Sequence, residues 1–129
     1  MNWKQLNEAY PQSFLEWVKQ ERKSNVISIQ WKHQEDDYFN GSYANFNGET
    51  GLMTCFDDID LRALPEYFDT LGIIIIPEYH IAEKMFTCLV INNKTNEKLY
   101  IGFGYETRAE VIEIAVEYAF RIREKQLTQ

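Results

Sequence analysis

Residues 85–104, MFTCLVINNKTNEKLYIGFG, contain two apolar runs on either side of a polar segment. MFTCLVI (85–91) and KLYIGFG (98–104) are rich in β-branched and aromatic residues and have the length of strands, whereas NNKTNE between them is typical of a loop. The pattern predicts two antiparallel strands. IIII before Pro77 predicts a further, buried strand that ends at the proline, because proline has no backbone N–H to donate.

The segment after these strands predicts the last helix. Thr107 and Glu110 have the spacing of a capping box, which opens a helix that we expect to run to about Lys125. One charged stripe of this helix consists of Glu110, Glu113, Glu117, Arg121 and Glu124, of which Glu117 and Arg121 are spaced for an ion pair. The remaining face is wide and apolar, and consists of Val111, Ile112, Ala115, Val116, Tyr118, Ala119 and Ile122. Such a face packs on a sheet or, alternatively, against a second copy of the same helix.

The start of the chain predicts two helices and a strand. Residues 3–10 form a short helical segment, and a second helix is expected from Pro11 to about Lys23, because proline suits the first helical position. The apolar residues of SNVISIQW (24–31) then indicate a strand whose odd positions face one way.

A helix is also expected from Asp58, ahead of the IIII strand. Asp60 is a suitable N-cap, and Gly72 stands where a left-handed residue closes a helix. Pro65 predicts either a kink or a helix that begins at the proline. The apolar residues at helical spacing are Leu61, Leu64, Tyr67, Phe68 and Leu71.

The stretch KHQEDDYFNGSYANFNGETG (32–51) contains two strong turn signals. Asn40-Gly41 and Asn47-Gly48 both favour type I′ turns, in which the two central residues have positive φ. The stretch therefore predicts short hairpins or an irregular loop.

These elements together predict an α+β fold in one domain over residues 1–129. The expected organisation is a helical start (about 3–23), an acidic, aromatic hairpin or loop region (about 32–56), and a helix-strand-strand-strand-helix second half (about 58–125). A small antiparallel sheet with helices on one or both faces, an α/β sandwich, is the architecture that buries these apolar faces.

The negative charge of the chain is concentrated in its middle. The formal net charge is −7, and residues 31–80 hold ten acidic side chains against two basic ones, Lys32 and Arg62. Such a field repels phosphate and attracts basic protein surfaces, so direct nucleic-acid binding is disfavoured.

Composition bounds the location of the protein. No apolar run approaches the roughly 20 residues of a membrane span, and the opening MNWKQLNEAYPQ lacks the apolar core of a signal peptide. We therefore expect a cytoplasmic protein without membrane contact. Cys55 and Cys88 have no CxxC spacing, which predicts two free, buried thiols.

Three segments carry a family resemblance: NWKQLNEAYPQSFLEWV, DLRALPEYFDTLGIIIIP and GYETRAEVIEIAVEYAF. Together they resemble a group of small, uncharacterised proteins of phages and mobile elements of Bacteroides-type bacteria. The last segment is similar to the strand–helix close of phage-type α/β sandwich domains. The resemblance implies an origin and an architecture, and it brings no catalytic residue.

The order of helix, antiparallel strands and helix is also similar to a double-stranded-RNA-binding domain. There the closing helix begins with a lysine cluster, whereas ETRAE in this chain has a single Arg108 between glutamates. That composition removes the electrostatic basis of RNA binding.

Two constellations contain residues suited to chemistry. His33, Glu35, Asp36 and Asp37 have ligand atoms for a divalent cation, but their spacing is not that of an EF-hand loop. A metal-dependent enzyme that uses these four residues is an alternative function. Our first expectation is that the protein has no cofactor. The other constellation is His80, which could form an acid–base pair with Glu78 or Glu83, although a surface histidine near a turn is the explanation we favour.

Acidic and aromatic residues alternate in the middle of the chain, which is a composition suited to docking a basic protein. Trp31, Tyr38, Phe39, Tyr43, Phe46 and Phe56 serve either such an interface or the core. The predicted function is a non-enzymatic accessory protein that binds another protein. The predicted binding residues are Glu35, Asp36, Asp37, Tyr38, Tyr43, Asp57, Asp58 and Asp60. A homodimeric structural protein joined through the last helix is a further alternative.

Overall fold

The computed structural model describes residues 3–23, 25–35, 38–54 and 63–129. Within them the elements are α1 (Trp3–Ala9), α2 (Pro11–Arg22), β1 (Val26–Glu35), β2 (Tyr38–Asn45), β3 (Thr50–Thr54), α3 (Ala63–Thr70), β4 (Ile73–His80), β5 (Met85–Asn92), β6 (Glu97–Tyr105) and α4 (Arg108–Thr128). The strands form two three-stranded antiparallel sheets, ordered β1-β2-β3 and β4-β5-β6. The predicted α+β class is confirmed, and its strands are divided between two sheets.

The chain divides into two compact units. Unit 1 comprises Met1–Ile59 together with Glu124–Gln129, and unit 2 comprises Asp60–Arg123. Unit 1 contains the first sheet with α1 and α2, while unit 2 contains the second sheet, α3 and most of α4. The prediction of one domain over residues 1–129 stays a prediction.

The helices of unit 1 begin and end where the sequence predicts. Pro11 is the first residue of α2, and Lys23 ends this helix in the left-handed region with φ 51°. The aromatic ring of Trp3 lies 4.7 Å from that of Trp17 and 6.1 Å from that of Phe14, so α1 and α2 are joined by edge-on ring contacts. The buried apolar residues of this unit are Leu6, Tyr10, Phe14, Trp17, Val18 and Val26.

The start of α2 has an unusual cap. Tyr10, the N-cap residue, makes no side-chain cap hydrogen bond. The backbone N–H of Ser13 donates instead to Oε1 of Glu124, at 2.8 Å, across 111 residues of sequence. A carboxylate at a helix N-terminus satisfies an otherwise unpaired N–H and interacts favourably with the helix dipole. Glu124, assigned by its spacing to the charged stripe of the last helix, therefore caps another helix.

Strand β1 is longer than predicted and contains a β-bulge. Val26 pairs with Asn45 of β2, and Ser28 pairs with the neighbouring Ala44, so Ile27 is an additional residue without a partner position in β2. The bulge interrupts the alternation of faces: Val26 is buried, and Ile27 is 57% exposed. The predicted common face of all the odd positions is therefore wrong at Ile27, while Trp31 remains half-buried.

One of the two predicted Asn-Gly turns exists. Asn40 and Gly41 lie inside β2, where they pair with residues of both β1 and β3, so the turn predicted there is wrong. Residues 46–48 do form the β2–β3 turn, in which Gly48 donates to the carbonyl of Asn45 at 3.0 Å and has φ +87°. Asn47 does not have positive φ, so the turn is a three-residue loop closed by glycine and not the predicted type I′ turn.

In unit 2, β4 continues past the proline that was predicted to end it. Pro77 pairs with Cys88, and the strand runs on to His80. β4 stands at one edge of the sheet order, a position in which a missing N–H is tolerated. The strand is also less buried than predicted: Ile73 is fully buried, whereas Ile76 is 38% exposed.

The other elements of unit 2 agree with their sequence signals. β5 and β6 form the predicted antiparallel pair, α3 begins at Ala63 with Pro65 in its first turn, and Gly72 has φ +74°. The hydroxyl of Thr107 accepts the N–H of Glu110 at 3.2 Å and donates to its carboxylate at 2.8 Å, which confirms the cap of α4. The core residues are Leu64, Tyr67, Phe68, Ile73, Cys88, Val90, Ile101, Val111, Ala115, Val116, Ala119 and Phe120.

Candidate functional site

The described strands of the β1–β2 hairpin end at two residues of the predicted acidic surface, Glu35 and Tyr38. Glu35 and Tyr38 pair across the two strands, so the two residues that connect them are Asp36 and Asp37. The backbone of Glu35 and Tyr38 belongs to the described residues, while their side chains and both aspartates lie outside them. The last residue of β1, Glu35, is therefore the first of three consecutive acidic residues in the sequence.

The second acidic stretch is reached from the same end of this sheet. Thr54, the last residue of β3, pairs with Asn40 of β2, which is two residues from Tyr38. The chain therefore leaves the sheet beside the β1–β2 connection. Asp57, Asp58 and Asp60, which follow, lie outside the described residues, as do the predicted start of the third helix at Asp58 and the Asp60 cap. We call the end of the sheet that carries the β1–β2 connection and Thr54 the acidic end.

Two aromatic residues of the hairpin are used to hold α1. The indole Nε1–H of Trp31 donates to Oδ1 of Asn7 at 2.9 Å. The ammonium of Lys4 lies 4.5 Å from the ring centre of Phe39, in the geometry of a cation–π contact. Both aromatic residues are half-buried, so they join the sheet to the helix within unit 1.

Tyr43 is also engaged within the sheet. It pairs with Gly51 of β3, and its ring occupies the space above that glycine: a Cβ built on Gly51 would lie 2.3 Å from Cζ and Oη of Tyr43. The structure shows this packing contact, and the membership of Tyr43 in a binding surface stays a prediction. Phe46, at the tip of the β2–β3 turn, is 80% exposed, and Phe56 lies outside the described residues.

One of the four residues of the alternative metal site, His33, has a described side chain. His33 is exposed, and its ring packs edge-on against Phe39 with centroids 5.1 Å apart. Within the described ranges, no group of three or more His, Cys, Asp or Glu side chains could hold a metal ion. The side chain of Glu35 and the residues Asp36 and Asp37 are outside those ranges, so the metal-dependent alternative stays a prediction.

His80 does pair with one of the two carboxylates considered for it. Its Nε2 lies 3.9 Å from Glu78 and 2.7 Å from the hydroxyl of Thr87. A nucleophilic triad needs the hydroxyl and the carboxylate on different ring nitrogens, whereas both groups here approach Nε2. Thr87 is also buried, with 5% exposure, so this arrangement fits a structural hydrogen bond better than a nucleophile.

Cys88 confirms half of the thiol prediction. It is free and fully buried in the second sheet, and burial raises the pKa of its thiol from 9.0 to about 11. A thiol with so high a pKa is a weak nucleophile near neutral pH, because the thiolate is the reactive form. Cys55 lies outside the described residues.

The apolar face of α4 is largely used within the protein. Val111, Ala115, Val116 and Ala119 are fully buried, and so is Phe120, whose ring meets that of Phe68 at 4.9 Å. On the charged stripe, the closest atoms of Glu117 and Arg121 are 4.0 Å apart, as the spacing predicts. The half-buried positions Ile112, Tyr118 and Ile122 are what remains of the face, and a homodimer through this helix stays a prediction.

Sequence reasoning did not identify an exposed apolar surface in unit 2. One face of the second sheet presents Ile74, Ile76, Leu89, Ile91 and Tyr100, and we call it the outer face. These side chains are half-buried or exposed, with Ile76 at 38% and Tyr100 at 68%. The alternation of faces in three consecutive strands was the available signal, but the prediction treated IIII as wholly buried.

No protein-family model matches the chain, and no curated protein or solved structure matches it either. In the part of the chain that is described, none of the helices is long and apolar enough to cross a membrane.

Proposed function

We propose that this protein acts without catalysis, by binding a basic protein through the acidic end of its first sheet. The observation that supports the proposal is the register of that sheet. Glu35 pairs with Tyr38 and Thr54 pairs with Asn40, so the chain enters both of its acidic stretches, 35–37 and 57–60, from one end of the sheet.

The electrostatic balance supports the sign of the partner. Residues 31–80 carry eight more acidic than basic side chains, while the rest of the chain is close to neutral. A concentrated charge of this kind accelerates encounter with an oppositely charged surface and disfavours partners of the same sign. The resemblance of three segments to phage and mobile-element proteins supports the further proposal that the protein is an accessory factor of such an element.

The described part of the hairpin suits a binding platform. Trp31 and Phe39 fasten the hairpin to α1 through a hydrogen bond to Asn7 and a cation–π contact with Lys4. A hairpin held in this way loses little conformational entropy on binding, which favours affinity.

The experiment compares two variants of equal charge. D36K/D37K/D57K/D58K reverses four carboxylates of the proposed surface. E21K/E83K/E97K/E106K reverses four exposed glutamates elsewhere in the chain. Each variant changes the formal net charge from −7 to about +1, so a difference between them reports the location of the charge and not its total.

Proteins retained by immobilised wild-type protein from a lysate of the source cells are identified at low and high salt, and the retained partner is purified and titrated against all three proteins. We expect salt to release the partner, the first variant to weaken binding by 100-fold or more, in line with roughly 2–5 kcal/mol for disrupted interfacial charge pairs, and the control to change binding by less than threefold. Equal binding by the first variant and the wild type, with both folded by circular dichroism, would refute the proposal.

A further inference from the structure

The two faces of the second sheet differ in burial. The inner face contains Ile73, Cys88, Val90 and Ile101, which are between 0% and 6% exposed. Arg108, at the start of α4, lies over Phe86 of this face with its guanidinium carbon 5.8 Å from the ring centre. The inner face therefore belongs to the core of unit 2.

The outer face has the composition of a covered surface but not the burial. An antiparallel sheet with one face packed on a core usually turns a polar face to solvent. Here two adjacent rows across the sheet are mainly apolar: Ile74, Ile91 and Lys98 form one row, and Ile76, Leu89 and Tyr100 form the next. An apolar patch of this kind on a protein surface marks an interaction site.

The charges at the edges of the patch are arranged symmetrically about its centre. Lys98 of β6 pairs with Ile91, which is two residues after Leu89 on the central strand β5. Glu78 of β4 pairs with Thr87, which is two residues before Leu89. With strands about 4.8 Å apart and residues about 3.4 Å apart along a strand, each charged residue is roughly 8 Å from Leu89. Leu89 is therefore the midpoint of a line that joins one cation to one anion.

We propose that a second copy of this chain covers the outer face. A two-fold axis that runs between the two sheets over Leu89, perpendicular to the line from Lys98 to Glu78, exchanges the two ends of that line. It brings Lys98 of each copy opposite Glu78 of the other and stacks the apolar rows between them. Interfaces of this self-complementary kind are the rule in two-fold homodimers.

The same operation determines how the strands cross. The line from Lys98 to Glu78 is inclined at about 35° to the strands, so the two-fold axis makes the strands of the two copies cross at about 70°. This angle falls in the near-perpendicular class of sheet packing.

The charges at the two ends of the line favour a second copy over another partner. A uniformly basic or acidic partner would meet only one of Lys98 and Glu78 with the opposite sign, whereas a second copy meets both.

The size of the patch predicts a weak dimer. Three strands about 4.8 Å apart give a footprint of a few hundred Å², below the roughly 800 Å² per partner of a standard stable interface. We therefore expect a dissociation constant of about 10 μM to 1 mM. The proposal concerns a surface in unit 2 and is independent of the acidic end.

The first test replaces one apolar residue on each face of the sheet. Ile76 and Leu99 are both 38% exposed, and they lie on the outer and the inner face respectively. Sedimentation velocity is measured from about 5 μM to 1 mM at fixed pH and salt. We expect the wild type to shift from monomer towards dimer, Ile76→Glu to weaken association at least tenfold, and Leu99→Glu to leave it within threefold. A wild type that stays monomeric throughout, or equal effects of the two substitutions, overturns the proposal.

The second test exchanges the two charges. Glu78→Lys alone and Lys98→Glu alone each place like charges opposite one another in the dimer, so each is expected to weaken association at least fivefold. The double variant E78K/K98E restores opposite charges and should associate within about twofold of the wild type. Thermal melts identify any variant that unfolds. Single reversals without effect, or a double variant no better than the singles, show that these residues do not face each other and overturn the proposed arrangement.

Discussion

Replacement of Gly51 by alanine tests whether Tyr43 is a packing residue. A Cβ at position 51 would lie 2.3 Å from the tyrosine ring, so the ring has to move. Displacing it costs about 0.5–1.5 kcal/mol for an off-rotamer side chain and about 1 kcal/mol for lost burial. Removing a glycine from the unfolded chain returns about 0.4–1 kcal/mol. The net expectation is that Gly51→Ala lowers the free energy of unfolding by about 1 kcal/mol.

The sign of the effect should reverse when the ring is absent. In a Tyr43→Ala background the alanine at position 51 meets no ring, and only the gain from the unfolded chain remains, about 0.4–1 kcal/mol of stabilisation. The four proteins of this double-mutant cycle should therefore show a coupling energy of about 1.5–2 kcal/mol, within the range for residues in contact.

Urea unfolding followed by circular dichroism measures all four proteins. With a slope of about 2 kcal/mol per M, Gly51→Ala should move the midpoint down by about 0.5 M in the wild type and up by about 0.2–0.5 M in the Tyr43→Ala background. Equal slopes in the four proteins are the control for comparable unfolding reactions. Additive effects, within about 0.5 kcal/mol, would refute the packing role of Tyr43 and return it to the candidate binding surface.

Two further predictions concern other positions. Gly48→Ala should lower the free energy of unfolding, measured with urea, by about 1–2 kcal/mol, because the φ angle of Gly48 is +87°. Gly102→Ala, whose added Cβ meets open space, should change the free energy of unfolding by less than about 0.5 kcal/mol. Equal effects of the two substitutions would contradict the turn described for residues 46–48. The pKa of the Cys88 thiol is about 11 in the folded protein, against 9.0 for an ordinary thiol, so the thiol loses its proton at lower pH in the unfolded chain than in the folded one. In a Cys55→Ala background, the free energy of unfolding should therefore decline as the pH rises from about 9 to 11. The Cys88→Ala variant of that background should lack this component, and identical pH profiles would contradict it.

The sequence predicted correctly those features that depend on interactions between neighbouring residues. Pro11 opens α2, and Thr107 with Glu110 opens α4, because a cap depends on residues within one turn. The loop between β5 and β6 was predictable for the same reason. By contrast, Asn40-Gly41 has the same local turn signal as Asn47-Gly48, yet it lies in β2 because pairing with a strand on each side outweighs the local preference.

Features that depend on distant residues were not predictable. The contact of Tyr43 with Gly51 needs the register of β2 and β3, and the outer face needs the order of three strands. Of the candidate site, composition identified the acidic residues, and the pairing of Thr54 with Asn40 showed from which end of the sheet the second acidic stretch begins. The bulge at Ile27 was missed because alternation alone carries no sign of an additional residue.

The cap that Glu124 supplies to α2 bears on the order of events during synthesis. Ser13 leaves the ribosome 111 residues ahead of the carboxylate that accepts its N–H, a delay of roughly 5 to 20 s at ordinary elongation rates. All of unit 2 is translated in that interval, and its residues are contiguous. We therefore expect α2 to stay uncapped, and the N-terminal helices to stay exposed to chaperones and proteases, until the last residues of the chain have been synthesised.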